Sequence, residues 1–482
     1  MRLKLVTLAL GVTFLILSGF RPAALPYTPG APFSDAVTSH LPATQFLRRS
    51  VLENGEFPLW RETIMAGQPF AADPLNKTAY PLQWLALVLP PTLHLDLMIV
   101  LHLLIAGAGM WLWAKSLGLR EEAAALSALA YALAPRVIGH TGAGHLDLLY
   151  ALAWFPWLMW AVGQVFHTDK QTWRVSLYVA LFGGLIVLAD VRLSLFAFVL
   201  SGVYGIYEAV RLHRLRRLAT FVPAGMLIVL LTVSLTVPLL GWRPYLSRAT
   251  LTTQDAGIFS LEPAQLLGLI LPVQGGNIET LTYLGLPVLG LAMIGAWTAR
   301  RWFWLASTGV AALYALGINA PLWSLLVQLI PSLLWFRVPS RAWFVVALIA
   351  PLLAGYGVQW LLEQRPGRRS LIVLAGTAAA LVCGVFLTLS VPAVSGLAIM
   401  VGGGGVGLIT LLALAGKLHG ERLALALLVV TFLDLLLVGR GWLEWREQDA
   451  WLPPAQVHLA ERLIELGAYR VYSPTYSLQQ QV

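Results

Sequence analysis

Residues 33–89 read FSDAVTSHLPATQFLRRSVLENGEFPLWRETIMAGQPFAADPLNKTAYPLQWLALVL, a polar stretch punctuated by Pro and Trp that lies between two apolar ones, Leu3–Phe20 and Leu93–Leu117. A chain that crosses a bilayer repeatedly needs only a few residues to turn between spans. A long loop carrying Asp35, His40 and Asp73 therefore reads as an external active-site element and not as a connector.

Composition sets the class of everything around that loop. Hydrophobic residues make up 58% and charged residues 11%, against roughly 45–50% and about 25% in a soluble domain. Crossing a hydrocarbon core takes about 20 mostly apolar residues, and windows of that kind recur as about thirteen spans. They fall near Leu3–Phe20, Leu93–Leu117, Ala123–Ile138, Leu146–Phe166, Val175–Ala189, Leu193–Val210, Ala219–Leu240, Leu281–Ala299, Trp302–Leu316, Ala342–Leu362, Leu371–Leu389, Val394–Leu414 and Ala424–Val438. The expected fold class is an all-α polytopic membrane protein whose long external loops bear short interfacial helices.

Lys and Arg in the short loops set the orientation. With Arg2 and Lys4 cytoplasmic, the inner loops hold Lys115/Arg120, Lys170/Arg174, the run RLHRLRR at 211–217, Arg300/Arg301, Arg365/Arg368/Arg369 and Lys417/Arg422. The loops Arg21–Thr92, Gly241–Thr280 and Gly317–Arg341, and the tail after Gly439, then lie outside. Topology and anionic headgroups account for the net charge of +9, so no nucleic-acid partner is implied. MRLK before a short apolar run resembles a secretory signal, but without a clean small-x-small site it reads as an uncleaved anchor. The single Cys383 lies mid-span, which excludes disulfides and Cys-based metal sites. GGGGVG at 402–407 lies inside an apolar span with no strand before it and reads as a close helix contact, not a dinucleotide loop.

The ionisable residues near or within spans are the functional candidates. Asp35 is tethered just beyond the first span, where a base could meet membrane-borne substrate; the alternative is a solvated loop carboxylate. Asp73 precedes a proline and could simply cap a turn. RVIGHTGAGHLD places Arg136, His140, His145 and Asp147 on a short outer Gly-rich turn, where a divalent metal, a phosphate or a helix cap would each account for them. Asp190 and Arg192 read as a local ion pair. His94, Asp96, His102 and Asp434 cluster in the outer halves of their spans. In GINAPLWSLLVQLIPSLLWFRVPSR, a Trp-rich interfacial helix ends at Arg337 and Arg341. Two arginines on the outer side break the inside bias, and either recognition of an anionic phosphate or headgroup snorkelling explains them. The remaining long loop carries Arg243, Arg248, Asp255, Glu262 and Glu279, and its apolar piece FSLEPAQLLGLILP is too short to cross.

Six segments in this order, SDAVTSHLPATQFLRRSVLENGEFPLWRETIMAGQPFAADPLNKTAYPLQWL, GHLDLLYALAWFPW, YLSRATLTTQDAGIFSLEPAQLLGLILP, ETLTYLGLPVLGL, WFRVPSRAW and YRVYSPTYSL, resemble the bacterial YfhO-type membrane proteins. The resemblance spans nearly the whole chain. Such proteins are similar to the GT-C glycosyltransferases, with many spans, an acidic residue in a large first external loop, and a sugar donor on polyprenyl phosphate.

The resemblance implies Asp35 as the acidic, catalytic residue of that loop. It makes Asp147 and Glu279 candidates, with Asp35, for binding a divalent cation such as Mg or Mn, and Arg337 and Arg341 candidates for the lipid phosphate; Arg337, Arg341 or Arg248 would stabilise charge on the departing phosphate. Asp73, His102 and His145 complete the cavity candidates. The turn between the fifth and sixth spans reads ADVR, which departs from the Gly-His-Pro-Gln-like sequence that the resemblance leads one to expect there.

A polyprenyl-phosphate donor needs no general acid, because phosphate leaves as a stable anion. Asp35 would deprotonate an acceptor hydroxyl, and direct displacement would invert the anomeric carbon. The acceptor would be an envelope glycan, polymer or lipid. The implied location is the bacterial cytoplasmic (inner) membrane, with the N-terminus cytoplasmic and the C-terminus external. A transporter or flippase of a lipid-linked glycan and a non-catalytic envelope-assembly scaffold are the competing readings. Residues 1–440 form the membrane domain on this reading. Residues 441–482 are expected to hold a helix at Ala455–Leu466, a strand at Tyr469–Tyr472, and the start of a truncated soluble domain.

Overall fold

The computed structural model describes residues 23–64, 67–168, 172–246, 251–272, 276–298, 301–363, 393–414, 416–452 and 454–465. The expected spans Leu3–Phe20 and Leu371–Leu389, Cys383, Arg248 and the strand at Tyr469–Tyr472 lie outside these residues. Apart from four two- or three-residue strands, the elements among the described residues are helical.

Helix α1 (Leu41–Leu52) lies in the first long loop. The membrane layer follows as α2 (Pro91–Ser116), α3 (Glu121–Ala132), α4 (Pro135–Gly142), α5 (Leu146–His167), α6 (Thr172–Ala189), α7 (Val191–Arg211), α8 (Phe221–Trp242), α9 (Leu286–Thr298) and α10 (Trp302–Ala315). After α11 (Pro321–Leu329) in the third long loop come α12 (Trp343–Glu363), α13 (Gly405–Leu414), α14 (Gly420–Arg440) and α15 (Pro454–Glu465). Among the described residues, seven helical segments are long and apolar enough to cross a membrane, and shorter apolar helices lie at Trp173–Ala189, Leu286–Thr298 and Trp302–Ala315. The chain is a multi-pass membrane protein.

Hydropathy merges Ala123–Ile138 into one span, and the structure divides it. Pro135 has no N–H to continue the ladder of α3 and its ring disfavours a helical Ala134; Ala134 is extended at ψ 128°, and α4 restarts with Pro135 in its first turn. Arg136 and His140 consequently sit on a buried helix, not on the open turn that the glycines suggest.

Small residues let the helices approach closely, since apolar area alone gives little drive for association in lipid. A Cβ at Gly295 of α9 would lie 2.0 Å from the Leu353 carbonyl of α12, and one at Gly357 would lie 2.1 Å from that of Leu291. The glycine run behaves the same way: a Cβ at Gly402 would lie 2.2 Å from Asp434 Oδ1 on α14.

The long loops fold back on one end of the bundle. Strand β1 (Leu25–Tyr27) pairs antiparallel with Glu444–Arg446, Pro26 opposite Trp445. Tyr27 donates its hydroxyl to the Trp451 carbonyl at 2.6 Å, and the Arg446 guanidinium lies 4.3 Å from the Tyr27 ring. The chain after α14 is thus stapled to the start of the first loop. Two residues of β-hairpin, Trp60–Arg61 with Gln68–Pro69, shape the loop's far side. Arg48 of α1 donates to the carbonyls of Ala86, Leu87 and Leu89 at 2.9, 2.9 and 3.0 Å, tying the loop to the entry of α2.

Candidate active site

The turn after α4 brings the loop and the bundle together. Gly144 has φ +80°, a conformation that L side chains rarely adopt, and a Cβ there would lie 2.2 Å from the Ala36 nitrogen. This close approach lets the Asp35 N–H donate to the Ala143 carbonyl at 3.1 Å. The His145 N–H turns back to the His140 carbonyl at 2.9 Å, which sets the two imidazoles side by side.

From there a line of ionisable groups runs into the protein. Half-exposed Asp35 places Oδ2 3.5 Å from His145 Nε2. His145 Nδ1 meets His140 Nδ1 at 2.8 Å. His140 Nε2 lies 3.6 Å from Glu279 Oε2. Glu279 Oε1 accepts from Arg341 Nε and Nη2 at 3.0 and 2.5 Å. Arg136 lies beneath, 3.6 Å from Glu279 Oε2, and donates to the carbonyls of Leu281, Glu279 and Ser340 at 2.8, 2.8 and 2.9 Å. An arginine with no exposed surface is tolerable there because carbonyls and a carboxylate replace its water.

Electrostatics grade along the line. Burial raises the Asp35 carboxyl above the ordinary range, His145 opposing it, as suits a group poised to take a proton. Burial also works against a charged Glu279, but Arg341, His140 and Arg136 outweigh it and hold that carboxyl below its usual range. In the contact between the two Nδ1 atoms one ring must donate and the other accept. If His145 is cationic, with both nitrogens protonated, it can face an ionised Asp35 and donate to His140, whose Nε2–H then faces Glu279. If His145 is neutral and donates to Asp35, His140 Nε2 is a lone pair aimed at a carboxylate, an arrangement that a cation between them would relieve.

The second state defines a candidate metal position. Ligand atoms of His140, His145 and Glu279 lie within 4.8 Å of one another, and His140 Nε2 and Glu279 Oε2 have no hydrogen-bond partner among the described residues; an ion there would take the Nδ1 lone pair of His145 in place of its hydrogen bond from His140. Ligands on a tetrahedral zinc with 2.0–2.1 Å bonds stand roughly 3.3 Å apart, so these groups would draw in around an ion. Two imidazoles and one carboxylate suit zinc better than the oxygen-seeking Mg or Mn. Of the sequence candidates, Glu279 belongs to this set, Asp35 touches it through His145, and Asp147 points elsewhere.

Asp147, in the first turn of α5, pairs with Arg192. Arg192 also holds Asp190 at 2.7 Å, and Asp190 caps α7 by accepting from the N–H groups of Arg192 and Leu193 at 2.6 and 3.1 Å. The local pair is therefore a three-residue bridge between α5 and α7. Beside it opens a cavity of about 240 Å³ lined by Asp73, Asp147 and Arg192 together with Leu239, Leu246, Trp335 and Phe336. Asp73 accepts from the Leu75 N–H at 2.9 Å as a turn cap, and burial raises its carboxyl.

The arginine pair of the third loop is divided. Arg341 is buried and engaged by Glu279. Arg337 is half-buried next to the cavity-lining Phe336, and its Nε has no hydrogen-bond partner among the described residues. Arg243 stacks 4.3 Å from the ring of Trp335, another residue of the cavity wall.

His102 stands apart from this line. Its Nδ1 lies 2.6 Å from the Met98 carbonyl and its Nε2 2.6 Å from the Tyr80 hydroxyl, which accepts from Trp154 Nε1 at 2.8 Å. With Nδ1 as donor and Nε2 as acceptor, every polar atom of this latch is satisfied. A group that composition does not single out is Lys77. Its amine, buried by the loop, meets His40 Nδ1 at 2.9 Å, and burial pushes it down to about 8.

No family model matches the chain, and no curated protein matches it. Among solved structures, ArnT from Cupriavidus metallidurans bound to undecaprenyl phosphate superposes with a TM-score of 0.50 at 15% identity, over 91% of this chain and 77% of that one. The mycobacterial arabinofuranosyltransferase AftD aligns at a TM-score of 0.43 and 15% identity, over 76% of this chain and 29% of that one. The chain thus shares the fold of ArnT.

Proposed function

We propose that the protein is a membrane glycosyltransferase of YfhO type that moves a sugar from a polyprenyl-phosphate donor to an envelope acceptor on the external face, with Asp35 as general base. The observation that carries this reading is the setting of Asp35. A half-exposed carboxylate is fastened by its own N–H to Ala143, leans on His145, and stands at the mouth of a buried charged line in a fold shared with ArnT, a protein solved with undecaprenyl phosphate.

The parts divide the chemistry. The acceptor hydroxyl approaches Asp35, which takes its proton as the oxygen attacks the anomeric carbon; the bond from that carbon to the phosphate oxygen breaks, polyprenyl phosphate leaves as an anion, and His145 stabilises whichever charge state of Asp35 results. The donor phosphate is held by Arg337, whose guanidinium retains an unengaged N–H, with Arg243 flanking it on Trp335. Arg341 keeps Glu279 ionised and in place. The apolar wall of Leu239, Leu246, Trp335 and Phe336 suits the first isoprene units of the lipid. A cation between His140, His145 and Glu279 would fix the His145 tautomer, and hence the face it shows to Asp35.

The test is transfer from a polyprenyl-phosphate sugar by the purified chain. Asp35→Asn keeps size and removes the base, and loss of a general base costs about 10²–10⁴ in rate. An Asp35→Asn protein with unchanged Tm that still transfers at near-normal rate sinks the assignment. Arg337→Lys keeps charge but loses the planar fork and should raise the donor KM with little change in kcat.

A further inference from the structure

The opposite end of the bundle holds a second polar cavity, of about 230 Å³, that plays no part in the chemistry above. It forms where the last turns of α2, α5 and α7 meet the start of α10 and the middle of α12, and its lining includes His167, Tyr204, Glu208, Arg211, Arg301 and Tyr356. Helices α5 and α7 begin at the candidate active site and end here, so their full length separates the two.

The charges in it do not balance. Glu208 is buried and held by Arg211 at 2.5 Å, with His167 at 3.8 Å. Arg301 contributes a further positive charge with no carboxylate partner among the described residues; its guanidinium sits 4.5 Å from the Tyr356 ring and its Nε is buried without an acceptor. Tyr356 is 7% exposed and its hydroxyl has no partner either. Two guanidinium groups therefore face one carboxylate, with an unused N–H and an unused O–H beside them. Buried donors of this kind cost stability unless something accepts from them.

We infer that this cavity binds a phosphate-bearing anion, gripped by Arg301 and Tyr356 with Arg211 at its edge. Guanidinium matches phosphate oxygens in pairs, and the volume, below the roughly 300 Å³ of sites for larger organic ligands, suits a small headgroup. The anion can be the headgroup of a membrane phospholipid or a soluble phosphate.

Native mass spectrometry of the full chain, purified in detergent and exposed to phosphatidylglycerol or phosphatidylcholine, reads the lipid arm, and stabilisation by inorganic phosphate reads the soluble arm. Phosphatidylglycerol retention should fall at least about tenfold in Arg301→Gln. In Tyr356→Phe, which keeps the ring beneath Arg301, it should fall by roughly two- to tenfold, the value of one hydrogen bond. Arg120→Gln, an exposed arginine at the same end, should leave it unchanged. A rise in Tm with inorganic phosphate that disappears in Arg301→Gln identifies the soluble source instead. Equal retention of phosphatidylglycerol by wild type, Arg301→Gln and Tyr356→Phe, with no Arg301-dependent response to phosphate, overturns the site. Equal loss in Arg120→Gln overturns it too, because it would show diffuse surface charge at work.

Discussion

Helices α4 and α8 show the two ways in which this chain meets an apolar surround. In α8, FVPAGMLIVLLTVSLTVPLLGW, only Ala224, Thr232 and Leu235 are buried, and its surface is apolar residues such as Met226, Val229 and Leu230. In α4, PRVIGHTG, all eight residues are buried, and they include an arginine, a histidine and a threonine. The more polar helix is the one packed deeper inside. Lipid offers no hydrogen bonds, so residues facing it must be apolar. A protein interior can supply carbonyls and carboxylates, so it is the interior that can house charge.

The comparison is open to direct attack, first at Arg136. Arg136→Met removes three hydrogen bonds to carbonyls and one charge beside Glu279, and breaking a buried pair costs about 3–5 kcal/mol. A drop in Tm of several degrees by thermal unfolding in detergent should follow; a silent Arg136→Met would mean that α4 is not a structural centre.

Next comes Gly144→Ala. With φ at +80° and the Ala36 nitrogen 2.2 Å from the new Cβ, the substitution should cost about 2 kcal/mol, within the range for strained backbone. It should also swing Asp35 away from His145, so transfer activity is expected to fall by more than the lost stability explains. Activity that merely tracks the folded fraction would separate the turn from the site.

Lys77 probes the first loop where it covers α5, its amine 5.5 Å from the Tyr150 ring. Its amine titrates at about 8 in the folded protein against an unfolded value near 10.4. Between those values the unfolded chain binds more protons, so stability should rise with pH, by about 1 kcal/mol from pH 8 to 9. Lys77→Met should flatten this slope. An identical slope in the variant would assign it to another group.

The smallest effect is expected on α8. Leu230 is 67% exposed to what would be lipid, and Leu230→Ala should change Tm by an amount equivalent to less than about 0.5 kcal/mol. A loss comparable to that at Arg136 would reveal a protein partner covering α8.

Most spans were legible because twenty apolar residues have few other uses. Where the pattern misled, at Ala123–Ile138, hydropathy averaged over a window hides a backbone break that one proline imposes. Asp35, His145 and Glu279 could be named from residue type and position near the outer ends of spans, and the structure brings them into one line. It leaves His102 in a separate latch and divides Arg337 from Arg341. Arg136 and His140 looked like turn residues because GHTGAGH is rich in glycine, yet those glycines serve close packing: a Cβ at Gly142 would lie 2.1 Å from the Trp442 carbonyl. The strand Glu444–Arg446 was invisible, since three residues show no periodicity and their partner lies more than 400 residues earlier.

By itself the sequence determined the all-α membrane class and the presence of a long acidic first loop, because hydrophobicity and charge bias are summed residue by residue. Only the tertiary structure decided which charges meet. Asp35 reaches His145, and Glu279 reaches Arg341, across separations of 110 and 62 residues (145 − 35; 341 − 279), and contacts made at such distance depend on how α4 and the loops pack, which no local pattern encodes.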